Sequence, residues 1–207
     1  MKDTRKLSLF WLFGAAFVLF STMAGVGWLY GQDVFVMRAA QSQPSGLLDA
    51  TSRFLSAAGS WELSGALLLA LSATLYGGGR RQLAARLLVA FLATGLLEYL
   101  LKQFLPVPPI PPGSVRVEDF VPVATVEHSY PYPSGHALRS TILLGTVYLL
   151  NGNGILRAGV ALLLLGLLVS RVYLGVHWAS DIVGGALLGA AAVAWAFNKE
   201  GRGWKSG

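Results

Sequence analysis

The chain has 207 residues, a length that fits one domain. It is 54% hydrophobic and 13% charged, with a mean hydropathy of +0.58; a soluble domain carries about 25% charged residues, so a water-soluble globular fold is excluded. The net charge of +6 sits in short clusters between apolar runs, a topology signal rather than a nucleic-acid face, and the absence of cysteine excludes disulfides, thiolate metal sites and cysteine nucleophiles.

A hydrocarbon core of about 30 Å asks for roughly 20 apolar residues in a helix. Six stretches approach that length: residues 7–30, 63–76, 83–101 (interrupted by Glu98), 137–150, 155–169 and 182–197. Several are short, so their polar flanks must belong to the helices. The first follows Lys2, Arg5 and Lys6 in the manner of a signal peptide. Its apolar core exceeds the roughly 7–15 residues of a signal sequence and no small-residue cleavage site follows, so a retained helix is expected.

Basic residues mark the cytoplasmic side of a membrane protein. Lys2, Arg5 and Lys6, then Arg80 and Arg81, then Arg157, then Lys199, Arg202 and Lys205 all fall on one side of a six-span layout. Asp33, Asp49, Glu62, Glu118, Asp119 and Glu127 fall on the other. The expected fold is therefore all-α: a single-domain integral membrane bundle over 1–207, with six transmembrane helices and both termini cytoplasmic, in a plasma or inner membrane. Two connections are more than turns. Residues 31–60 contain an amphipathic stretch, 45–58, expected to lie at the interface. Residues 103–133 begin with a proline-rich run that stops helix continuation and stiffens an extracytoplasmic loop. Gly184, Gly185 and Gly189 suit close helix packing. Trp28, Tyr30 and Trp61 read as an interfacial aromatic belt, His128 as an interfacial polar residue, and Asp119 and Glu127 as a solvated loop face. Tyr130 and Tyr132 suit either a headgroup contact or loop packing.

Charge inside a membrane segment is costly, so polar groups at helix mouths carry the information. Lys102 closes the third stretch. Pro133-Ser134-Gly135-His136 opens the fourth, Ser170-Arg171 closes the fifth, and His177 and Asp181 open the sixth. In the six-span layout all four places lie on the extracytoplasmic side. His177 and Asp181 are four apart and share a helix face. A carboxylate on one imidazole nitrogen fixes the tautomer and leaves the other nitrogen to attack. Ser134-Gly135 at a helix start offers backbone N–H groups and the positive end of the dipole to an anion. Arg171 and Lys102 add positive charge. His136 stands beside the same anion position, where it can protonate a leaving oxygen. Such a division of labour suits phosphoryl transfer.

The residues PSGH at 133–136 and SRVYLGVHWASD at 170–181 resemble the second and third signatures of the type 2 phosphatidic acid phosphatase superfamily, and the six-span layout resembles its membrane branch. The third signature, S-R-x5-H-x3-D, fits at every fixed position. The resemblance implies a metal-independent phosphatase without cofactor, acting through a phosphohistidine on a membrane lipid phosphate. It implies His177 as nucleophile, Asp181 as its orienting partner, His136 as general acid, and Ser134, Gly135, Arg171 and Lys102 as phosphate ligands. The first signature departs. A lysine, six residues and Arg-Pro are required, but counting from Lys102 gives Pro109 and Ile110. Arg116, further along the loop, and Arg139, one turn into the helix after His136, are the possible replacements. Arg139 is preferred, backing the phosphate pocket with Glu98 as its alternative partner.

Phosphatidate, phosphatidylglycerol phosphate and undecaprenyl diphosphate are the candidate substrates. The expected partners are that substrate and the bilayer, not nucleic acid; oligomeric state is not legible. Two other classes share some features. Vanadium-dependent haloperoxidases hold vanadate with a similar constellation but are soluble. A non-catalytic lipid-binding or transport protein would leave the two histidines and two anion-binding motifs on one face without a purpose.

Overall fold

The computed structural model describes residues 2–116 and 129–198, with side chains from Ser8 onward except those of Ala58 and Pro112. Glu118, Asp119, Glu127, His128, Lys199, Arg202 and Lys205 lie outside the described residues, as do the side chains of Lys2, Arg5 and Lys6. Among the described residues every regular element is a helix and none is a strand: α1 (Lys2–Gly25), α2 (Tyr30–Ala40), α3 (Gly46–Ala58), α4 (Trp61–Gly77), α5 (Arg81–Phe104), a single 3-10 turn (Pro112–Ser114), α6 (Gly135–Leu150), α7 (Gly154–Tyr173) and α8 (Ala179–Ala196).

The helix starts follow from local chemistry. Ser45, Ser60 and Ser134 each accept the backbone N–H three residues on, and Asn153 accepts those of Ile155 and Leu156. These are side-chain N-caps, which satisfy donors that a helix start leaves open. α5 stops where the proline run begins. The first apolar stretch is shorter than its hydropathy suggested. α1 ends at Gly25, and Gly27 at φ 76° turns the chain into α2. The segment 31–60 thus holds most of a second helix as well as the amphipathic one, which starts at Gly46 beneath its Ser45 cap.

Four helices are long and apolar enough to cross a membrane: α1 over Ser8–Gly25, α5, α7 and α8. α3 and α4 together, joined through a bend of 52°, supply a fifth. α6 has 16 residues, a rise of about 24 Å, which falls short of the roughly 30 Å core. Large apolar side chains point outward from these helices: Trp11, Leu12 and Leu19 from α1, Leu92 and Leu96 from α5, Leu162 and Leu165 from α7. A surface this apolar suits a lipid environment.

α8 is the central helix, with 61% of its span buried against 11% for α1. It packs on α1, α5 and α6. Its glycines make that possible. A Cβ on Gly185 would run into the Ser134 carbonyl, and one on Gly189 would stand 2.8 Å from the Leu138 carbonyl oxygen. The backbone of α6 therefore lies directly on α8. A Cβ on Gly184 would collide with the Tyr132 hydroxyl. The close-packing role expected for these glycines is thus visible as contact.

Candidate active site

The C-terminal ends of α3, α5 and α7 meet the N-terminal ends of α4, α6 and α8 at one end of the bundle. The first turn of α8 is the most fully determined part. His177 Nδ1 lies 3.2 Å from Asp181 Oδ2, and the same oxygen accepts the Trp178 N–H at 2.9 Å. Asp181 is fully buried and His177 is 7% exposed. A carboxylate in the first turn of a helix is favoured by the dipole and by the open N–H groups. Here it reaches back one turn and fixes the imidazole, so that Nε2 points away from the carboxylate.

Three further contacts hold this turn. Asp33, from α2, accepts the Ser180 N–H at 2.8 Å and the Ser180 hydroxyl at 2.6 Å. Burial pushes the Asp33 carboxyl above its ordinary value, against the lowering effect of the two Ser180 hydrogen bonds. Trp178 Nε1 donates to the Pro108 carbonyl at 2.7 Å, which ties the proline loop to the α8 start. The Ser134 N–H donates to the Asp181 carbonyl at 2.9 Å, which joins the α6 start to it.

At the start of α6, Ser134 and Gly135 are buried and His136 is partly exposed. His136 faces the α3–α4 junction: a Cβ on Gly59 would lie 2.8 Å from its Cδ2 and 3.2 Å from Ser140 Oγ. Tyr132 precedes this turn across a cis bond to Pro133. It is completely buried, its hydroxyl is 2.8 Å from Ser21 Oγ of α1, and burial pushes its pKa up to about 12, keeping it neutral. Of the two roles open to Tyr132, the structure places it in packing.

The cations come from α5, α6 and α7. Arg139 Nη1 lies 2.9 Å from Glu98 Oε2, and Lys102 Nζ lies 3.7 Å from Glu98 Oε1. The Arg139 guanidinium also lies over the Trp61 ring, 5.1 Å from its centroid. Trp61, half-exposed, thus does more than mark an interface. Arg171 is 4% exposed and donates from Nη1 to the Ser56 hydroxyl of α3. Lys102 is within electrostatic reach of Glu98, Arg139, Asp181 and Arg171, and His136 of Arg171, Arg139 and Lys102. The four distant sequence segments therefore converge.

Arg116 does not join them. It pairs with Asp49 at 3.2 Å and lies over the Tyr173 ring, whose hydroxyl donates to Asp49 at 2.7 Å. Arg116 fastens the loop to α3 and α7.

Sequence reasoning passed over Ser56, Asp33 and Gly59. Ser56 had a signal: Asp49, Ser52 and Ser56 recur at spacings of three and four, one polar face of α3. Asp33 had a weaker one, a carboxylate directly before the run VFVM and four residues from the buried Met37. Gly59 had none, because its neighbour His136 comes from a distant helix. Among the described residues no three histidine, aspartate or glutamate side chains gather as metal ligands.

An arrangement with a carboxylate-held imidazole, a second histidine, a serine-capped helix start and three cations can bind a tetrahedral anion and attack it. Residues 83–204, more than half of the chain, match the family model of the PAP2 superfamily. The fold is similar to that in the crystal structure of the first transmembrane PAP2-type phosphatidylglycerolphosphate phosphatase from Bacillus subtilis. The two share 18% sequence identity over 95% of this chain and 99% of that one, with a TM-score of 0.72. A search of curated proteins found no match. With both signature motifs at the convergent end of this helical bundle, the chain belongs to the PAP2 superfamily.

Proposed function

We propose that this protein is a six-span lipid phosphate phosphatase that works through a phosphohistidine on His177. The observation that carries the proposal is the His177 Nδ1–Asp181 Oδ2 contact at 3.2 Å in a site within reach of three cations. In the first half-reaction, Nε2 of His177 attacks phosphorus in line with the lipid oxygen. The P–N bond forms, the P–O bond to the lipid breaks, and His136 gives its proton to the leaving oxygen. Asp181 stabilises the positive imidazole ring. In the second, His136 takes a proton from water, the water oxygen attacks phosphorus, and the P–N bond breaks to release inorganic phosphate.

Ser134 and Gly135 at the start of α6, with Lys102 and Arg171, receive the phosphoryl oxygens. Arg139 backs this pocket in place of the absent first-signature arginine. Its Nε is buried and lacks an acceptor among the described residues, so a donor remains available for an oxyanion. Six spans arise if α4, with α3 as its bent extension, and the short α6 both cross. α6 reaches far enough because its polar first turn sits in the headgroup layer. The basic segments then place both termini in the cytoplasm and the site on the extracytoplasmic face.

The substrate class follows from likeness and from chemistry. The Bacillus subtilis neighbour acts, by its description, on phosphatidylglycerolphosphate. A pocket at a helix mouth flanked by lipid-facing surface suits a phosphate on a membrane anchor. The test is turnover by purified protein in detergent on phosphatidylglycerol phosphate, phosphatidate and undecaprenyl diphosphate, with and without EDTA. Release of phosphate from at least one, unaffected by EDTA, is expected. Inactivity on all three, or activity lost to EDTA and restored by a divalent ion, contradicts the proposal.

A further inference from the structure

The phosphate seat proposed above already contains an anion of the protein's own. Glu98 is 8% exposed and sits one turn before Lys102 on α5. Its two oxygens are divided between two cations, Oε2 with Arg139 at 2.9 Å and Oε1 with Lys102 at 3.7 Å. The carboxylate also crowds the first residue of α6. A Cβ on Gly135 would collide with Glu98 Oε1 and lie 2.6 Å from Arg139 Nη1. Glu98 thus has two cations and the positive end of a helix around it, the surroundings a phosphoryl oxygen needs.

We propose that Glu98 is an internal counter-anion, which shares the phosphate seat in the empty enzyme and gives up Lys102 when a substrate phosphate arrives. This rests on the phosphatase reading above. The two contacts differ in kind. The Arg139 contact has hydrogen-bond length and is braced by the Trp61 ring. The Lys102 contact exceeds hydrogen-bond length, and an ammonium on a flexible stem changes partners readily. Arg139 therefore stays and Lys102 turns. The arrangement has a purpose in both states. Empty, it offsets like charges that repel strongly in a poorly screened pocket. Occupied, it competes with phosphate and speeds loss of the inorganic product.

The sign of one measurement separates competition from scaffolding. Binding of inorganic phosphate to the full chain in detergent is measured by calorimetry, alongside phosphate inhibition of turnover, for wild type and Glu98→Gln. A competitor's removal tightens phosphate, on the order of tenfold, and lowers KM and kcat together as product leaves more slowly. Unchanged or weaker phosphate binding overturns the proposal. If Glu98→Gln does not fold, infrared difference spectra of wild-type protein with carboxylate-labelled glutamate give the second reading. Adding phosphate must shift a glutamate carboxylate band, and an unmoved band overturns the proposal equally. Wild-type protein that binds phosphate but hydrolyses no lipid phosphate would retire the phosphatase reading while leaving both of these comparisons intact.

Discussion

Two corners of the site are built on different principles. At the start of α8 the candidate pair, His177 and Asp181, is brought together locally: His177 stands two residues before the helix rather than on its face as the spacing suggested, and Asp181 in the first turn reaches back to it as it does to the Trp178 N–H. The corner of α5 and α6 is assembled across the fold: Glu98 meets Arg139 from 41 positions away, and Lys102 joins only because it shares α5 with Glu98. The first corner fits its family signature at every fixed position, and the second is where the signature's arginine is missing. A local pair has few ways to be made. A cluster of charges drawn from separate helices can be satisfied by several sets of residues, and in this chain Glu98, Lys102 and Arg139 are the ones that meet.

The comparison can be broken most sharply at the local pair. Asp181→Asn keeps the shape of the turn but loses the negative partner of the imidazole, and kcat should fall by about 10²–10⁴-fold with little change in KM. A loss below tenfold would mean that the carboxylate does not orient a reacting histidine.

At the assembled corner the effect should be divided between stability and affinity. Arg139→Ala leaves Glu98 buried without its closest partner, a cost of about 3–5 kcal/mol in a thermal or denaturant unfolding measurement in detergent, and should raise KM. Arg116→Ala breaks a pair with Asp49 outside the cluster and should leave turnover and phosphate affinity near wild type. If Arg139→Ala retained both while Arg116→Ala lost them, the two arginines would have to exchange roles.

The smallest change tests the packing that carries both corners. Tyr132→Phe removes the hydroxyl bonded to Ser21 and pressed against Gly184. A loss of about 1 kcal/mol of stability is expected, with kcat nearly unchanged. A large fall in kcat at unchanged stability would instead place Tyr132 in the chemistry.

Much of this was legible in the sequence, for reasons specific to each part. The apolar runs gave the helices of the bundle because the bilayer sets a length and excludes charge. They misjudged ends: the apolar character of residues 26–30 hid the turn at Gly27, where backbone conformation rather than hydropathy decides. The local spacing of His177 and Asp181 foretold their contact. The Arg139–Glu98 contact was anticipated only as a possibility, because it depends on how α5 lies against α6. For the Ser56–Arg171 and Asp33–Ser180 contacts the sequence marked Ser56 and Asp33 as polar positions but not their partners. Each joins a short helix of the 31–60 connection to the bundle core, and nothing local in the sequence fixes how α2 and α3 fold back.

The most direct test is to trap the covalent intermediate. Purified protein mixed briefly with a ³²P-labelled lipid phosphate, then quenched under alkaline denaturing conditions, should carry label on His177. The label should be lost on acid treatment and absent from His177→Ala, whose turnover should fall by roughly 10⁴-fold or more. Label on another residue, or a His177→Ala protein that turns over at the wild-type rate, would contradict the account.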